Sequence, residues 1–186
     1  MRRKVGNIMP NWCDNVVTIT GDRVMELMEA VKGEKFEKRG ETLQQPFSLH
    51  SILPQPEELT GTNSPNYILP TQEEADAHNE EHKNDDFFRP AQTQEEVDAL
   101  YAKYGSANWL DWREDNWGTK WDVSYDMVSC EYDAGFDQIV GSTDLSVVYE
   151  FPTAWGPPIG IYLELKKRYP DLDISWFYHE PDMQFA

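Results

Sequence analysis

The sequence predicts an α+β domain in which a sheet carries helices on one face, and three observations lead there. Short runs of β-branched and aromatic residues alternate with stretches of helical periodicity, so a strand–helix–strand passage occurs twice. Residues 145–151 end in the junction Phe151-Pro152-Thr153-Ala154-Trp155-Gly156-Pro157-Pro158. Its double proline fixes φ and lacks N–H groups, which suits the first turn of a helix and no later one. Thr93-Gln94-Glu95-Glu96 is a capping box, with Thr at the cap and Glu three residues on.

Taken in order, Val16-Val17-Thr18-Ile19-Thr20 reads as a strand closed by Gly21. Asp22 is a good cap for a helix over about residues 22–32, where Val24, Leu27, Met28 and Val31 share one face. The charged stretch from Gly33 to Gly40 ends that helix. Phe47-Ser48-Leu49-His50-Ser51-Ile52 reads as a second strand, turned away by Leu53-Pro54-Gln55-Pro56. Residues 57–92 are rich in acids and hold Pro65, Pro70 and Pro90, so they read as a surface excursion with one short helix at 71–82. The capping box then opens a helix with the stripe Val97, Leu100, Tyr101 and Tyr104, stopped by Gly105. An aromatic stretch over 109–121 precedes a weakly alternating strand at 122–132 and a turn at 133–135. A strand at 144–151 follows, then the double-proline helix, with Thr153 or Gly156 as its cap, ended by Pro170. The last strand covers 173–179.

The 186 residues suit one well-cored domain, here 10–186 with an insertion at 57–92, behind a flexible basic leader at 1–9. No apolar run approaches the ~20 residues that span a bilayer, and no apolar segment follows Met1-Arg2-Arg3-Lys4 as a signal peptide requires. Cys13 and Cys130 are the only cysteines. They read as reduced thiols of a cytoplasmic protein, with a disulfide between them as the weaker alternative.

The formal net charge is −18 and it is unevenly spread. Residues 71–100 hold ten acids against Lys83 and Arg89, and residues 109–150 hold ten against Arg113 and Lys120. Such a surface repels phosphate, disfavours direct nucleic-acid binding and favours a basic partner; the plainer reading of the same charge is solubility.

Catalytic candidates are sparse. His78-Asn79-Glu80-Glu81-His82 matches the H-x-x-E-H spacing of inverted zinc peptidases, but that motif needs a buried amphipathic helix and this segment is polar all round. Cys13, with His50 and His179 elsewhere, permits a Cys–His nucleophile on paper, against the reading that Cys13 simply packs under Trp12. Among the aromatics, Trp117 and Trp121 read as core, and Trp109 and Trp112 divide evenly between core and interface. No phosphate-binding glycine loop, dinucleotide fingerprint or C-x-x-C pair is present, and no cofactor or metal is implied.

Four segments taken together resemble the YubB-like proteins of plasmids and bacteriophages. These are Pro10-Asn11-Trp12-Cys13-Asp14-Asn15, Trp117-Gly118-Thr119-Lys120-Trp121-Asp122, the 151–158 junction, and the closing Tyr178-His179-Glu180-Pro181-Asp182-Met183-Gln184-Phe185-Ala186. The closing segment departs from the family pattern at Asp182, where Gly is usual, and stops at Ala186, one Gly short. The resemblance implies a ferredoxin-like sandwich, an antiparallel sheet with helices on one face, and a mobile-element origin in a bacterial host cell. It carries no activity.

The expected function is that of a non-enzymatic acidic protein that binds a basic host protein, such as a nucleic-acid-handling defence complex inhibited by DNA mimicry. Its partner-binding residues are expected in the acidic segments: Glu73, Glu74, Glu80, Glu81, Asp85 and Asp86, and Trp109, Asp111, Trp112, Glu114 and Asp115. The alternatives are a nucleic-acid-binding module that stacks bases on a sheet face, and a small enzyme with Cys13 or a His-centred site.

Overall fold

Side chains of a strand point alternately to opposite faces, so burial along it shows which face is packed. In β1 (Trp12–Thr20), Cys13, Asn15, Val17 and Ile19 are buried and the residues between them are not. The computed structural model describes residues 11–137 and 142–181, with backbone alone over 133–137 and 142–144. The basic leader and the closing residues 182–186 lie outside the described residues. The chain divides into two compact units, one formed by the chain up to Ile52 and again from Thr119, the other by Leu53–Gly118.

The first unit holds β1, α1 (Val24–Ala30), the hairpin β2 (Lys35–Lys38) and β3 (Glu41–Gln44), and α2 (Leu49–Ile52). After the second unit it resumes with β6 (Ser129–Asp137), β7 (Ser142–Ala154), α6 (Ile159–Arg168) and β8 (Asp173–His179). Four strands form one sheet in the order β6-β7-β1-β8, and every neighbouring pair is antiparallel. The fold is mixed α+β with an antiparallel sheet. One sheet face is packed: Val17, Ile19, Val147, Tyr149, Phe151 and Ile174 are buried, with Val24, Leu27, Ile161 and Leu165 of the helices. Phe47 sits in this core with its ring centroid 4.9 Å from both Tyr149 and Phe151. Each such side chain contributes about 1.5–3 kcal/mol by leaving water.

The second unit holds β4 (Tyr67–Ile68), α3 (Gln72–His82), β5 (Ala91–Gln92), α4 (Gln94–Tyr104) and α5 (Trp109–Asn116), with β4 and β5 paired in parallel. The expected excursion at 57–92 therefore belongs to a compact unit. The capping box is formed as read, Thr93 accepting from Glu96 N and Glu96 from Thr93 N, and Gly105 ends α4 at φ 74°. Trp117 is fully buried and donates Nε1 to Leu53 O at 2.8 Å. Arg113 lies over both Trp109 and Trp117, 5.2 and 4.7 Å from their ring centroids, and Trp112 meets Trp117 edge-on.

Several local readings are corrected. The strand expected at 47–52 is a turn into α2, because the Asp122 carboxylate accepts from Leu49 N at 2.7 Å and His50 N at 3.2 Å and so satisfies the free N–H groups of a helix start. The charged stretch after Gly33 is a hairpin, its two-residue turn made by Arg39 and Gly40 at φ 55° and 83°. The strand expected from 122 begins only at Ser129, after a 3₁₀ turn at Tyr125–Met127. Arg23 rather than Asp22 occupies the cap of α1. Pro158 is the cap of α6, and the Thr153 hydroxyl instead donates to Gly156 O at 2.8 Å.

Candidate functional site

The motif residues meet in the first unit, and their chemistry there is structural. Strand pairing sets Trp12 opposite Ala154 and Asn15 opposite Phe151, while Asp14 and Asn15 pair with His179 and Tyr178. Asn15 is buried, and its Nδ2 donates to Cys13 O at 2.9 Å and Thr153 Oγ1 at 2.8 Å while its Oδ1 accepts from Trp176 Nε1 at 3.1 Å. Buried Thr119 donates to Ala154 O at 2.8 Å. A buried polar group left without partners costs more than a formed bond contributes, so these positions hold the strand ends in register.

Cys13 is buried among these groups. Burial first, then the carboxylates of Asp14 and Glu180, push its thiol up to about 11. It is protonated at neutral pH and inert as a nucleophile. Cys130 is exposed on β6, opposite Tyr149, and both thiols are free.

In the second unit α3 exposes nearly its whole circumference, with Ala75 alone buried. His82 Nδ1 lies 2.8 Å from Asp85 Oδ2, and His78 Nε2 lies 3.1 Å from Arg89 O. The two imidazoles stand with centroids 4.6 Å apart at a cleft of about 260 Å³ that Tyr67, Phe88 and Arg89 also line. Among the described residues no group of three or more His, Cys, Asp or Glu is placed to hold a metal ion, so the H-x-x-E-H spacing has no metal-site geometry.

The expected partner-binding residues separate. Glu73 and Glu74 lie in the first turn of α3, and Glu80 and Glu81 near its end, all exposed. Glu80 pairs with Lys83 at 2.5 Å, Asp85 is taken by His82, and Asp86 is exposed. Asp111, Glu114 and Asp115 come together at a surface hollow of about 290 Å³ beside Tyr101. Asp111 accepts from Asn108 at 2.9 Å and Asp115 from Ser106 at 3.3 Å. Trp109 is half-buried against Arg113. Trp112 is a correction: at 6% exposure it packs against Trp117 and presents almost nothing to a partner. Trp121 is the reverse, exposed at 39%, with its ring 6.3 Å from Trp12.

Sequence reasoning missed the second face of the sheet. Strand register places Ser129, Glu150, Val16 and Phe177 in one row across it, and Glu131, Val148, Thr18 and Ser175 in the next. All eight are exposed or half-exposed, and Phe177 reaches 59%. Asp14 and Asp173 add further exposed carboxylates. None of the four strands contains Lys or Arg. The available signal was the alternation in Asp173-Ile174-Ser175-Trp176-Phe177-Tyr178, which leaves Phe177 opposite in sense to the buried Ile174.

No protein-family model matches the chain, and no curated protein or solved structure does. Among the described residues no helix is long and apolar enough to cross a membrane.

Proposed function

We propose that this chain is a non-enzymatic acidic binding protein of a phage or plasmid, acting in the bacterial cytoplasm on a basic host protein, such as a nucleic-acid-handling defence complex. The observation that carries the reading is the charge. The chain bears −18 overall, and Leu53–Gly118 alone holds fifteen carboxylates against four cations. Exposed carboxylates at that density attract cationic surfaces over roughly a Debye length, about 10 Å at 0.1 M salt. They offer a nucleic-acid-binding cleft charges in place of phosphates, which is the basis of mimicry.

For the first unit we infer a ferredoxin-like arrangement, with the acidic insertion expected at 57–92 falling inside the Leu53–Gly118 unit. Supporting it, the sheet strands and their helices run strand, helix, strand, strand, helix, strand along the chain, and the first strand lies between the third and the last. This fits the resemblance to the YubB-like proteins. The nucleic-acid-binding alternative draws no support from a sheet without Lys or Arg, because base-stacking faces rely on cations to hold phosphate. The enzyme alternative draws none from a Cys13 thiol held near 11.

The test is affinity capture from host lysate at low and high salt, read by mass spectrometry. A basic, nucleic-acid-handling protein recovered at low salt and lost at high salt supports the reading. A complex insensitive to salt, or none at either salt, overturns it.

A further inference from the structure

Alternation that buries one side of β1, β7 and β8 leaves the other side as a continuous solvent-facing surface. Its centre is apolar: Val16, Val148 and the exposed ring of Phe177. Its margin is anionic, with Asp14, Glu131, Glu150 and Asp173 exposed and, among the described residues, in no ion pair. At one end, where Trp12 and Ala154 pair, a hollow of about 200 Å³ opens between Trp12, Trp121, Met127 and Pro152. That volume is below the ~300 Å³ at which ligand pockets begin, so it suits one anchoring side chain rather than a small molecule. Lys120 Nζ lies 5.0 Å from the Trp121 ring centroid, so this ring already meets a cation.

We infer that this open sheet face is a docking surface for a basic polypeptide segment. One apolar side chain of the segment enters the Trp12–Trp121 hollow, others cover Val16 and Phe177, and Arg or Lys side chains pair with Asp14, Glu131, Glu150 and Asp173. The inference rests on the acidic-binder reading and assigns its contact surface to the sheet rather than to α3 and α5. Charge complementarity selects the occupant. A nucleic acid meets four carboxylates and no strand cation, and a second copy of the same face sets carboxylates against carboxylates. An apolar centre ringed by charge is also the anatomy of a protein interface, with anchors in the middle and ion pairs at the rim.

The test is an NMR titration of the full chain with a short peptide of alternating Leu and Arg. The controls are the same peptide with Ser for Leu, the same peptide with Glu for Arg, and a single-stranded oligonucleotide. The Leu-Arg peptide is expected to shift the amides of Val16, Val148 and Phe177 and the Trp121 indole. Binding is expected to weaken at least about tenfold with Ser for Leu, and likewise in Glu150→Lys. Glu131→Lys serves as a second variant, each checked for native circular dichroism, and Glu73→Lys is expected to leave binding unchanged. Shifts confined to α3–α5 overturn the assignment and leave the acidic-binder reading standing. A peptide that moves nothing overturns the assignment, and that reading is then decided by the lysate capture. Shifts of this face with protein concentration alone identify a second copy as the occupant, and shifts with the oligonucleotide identify a nucleic acid; either overturns the inference.

Discussion

The two faces of the central sheet are made by the same strands and differ in nearly everything else. The packed face presents Val17, Ile19, Val147, Tyr149 and Phe151 to Phe47 and the helices. The open face, one residue out of phase, presents Val16, Thr18, Val148, Glu150 and Phe177 to solvent. Stability resides on the first. On the second, Phe177 with Val16 and Val148 makes an apolar patch ringed by carboxylates that are in no ion pair among the described residues. It does little for folding, and its contiguity is the physical reason to assign it a partner.

Truncating the packed face should have the largest effect. Phe47→Ala is expected to cost about 3–5 kcal/mol in urea denaturation, because its neighbours Tyr149 and Phe151 are themselves fixed in the core. A loss below about 1 kcal/mol would mean that the two faces are not energetically distinct. Phe177→Ser is the matching change on the open face. It should move stability by no more than about 0.5 kcal/mol while weakening partner binding at least about tenfold.

Thiol chemistry separates the two cysteines by burial alone. Both lie on the packed side of the sheet, and Cys130, opposite Tyr149, is on its edge strand. Cys13 is buried, and the raised pKa favours its protonated form in the folded state. Its stabilising contribution is therefore complete below the ordinary thiol range and is lost as pH rises through about 11. Stability should fall on the alkaline side, and Cys13→Ser should flatten that slope in thermal scans. Alkylation of the native protein at mildly alkaline pH, followed by mass spectrometry, should label exposed Cys130 well before Cys13.

Where local chemistry decides, the sequence was readable. The Thr93 capping box, the stop at Gly105, the helix at 71–82 and the last strand stand as read. Where a distant group decides, it was not. Residues 47–52 have strand composition, but Asp122 supplies acceptors to N–H groups that a strand would have paired elsewhere, and α2 forms instead. The aromatic stretch failed for a similar reason. Trp112 and Trp121 look alike in sequence, and packing against Trp117 buries one and not the other. For the candidate site, composition revealed the negative charge but not the open face. Asp14, Glu131, Glu150 and Phe177 are far apart along the chain and share a surface only through strand register.

The most direct test of the central claim compares lysate capture by the wild-type chain with capture by two charge-reversed variants, Glu131→Lys/Glu150→Lys on the sheet and Glu73→Lys/Glu80→Lys on α3. The account predicts that the sheet variant loses a basic protein that the wild type and the α3 variant both retain at low salt. Retention by the sheet variant together with loss by the α3 variant would contradict it, and would place recognition on the helical unit.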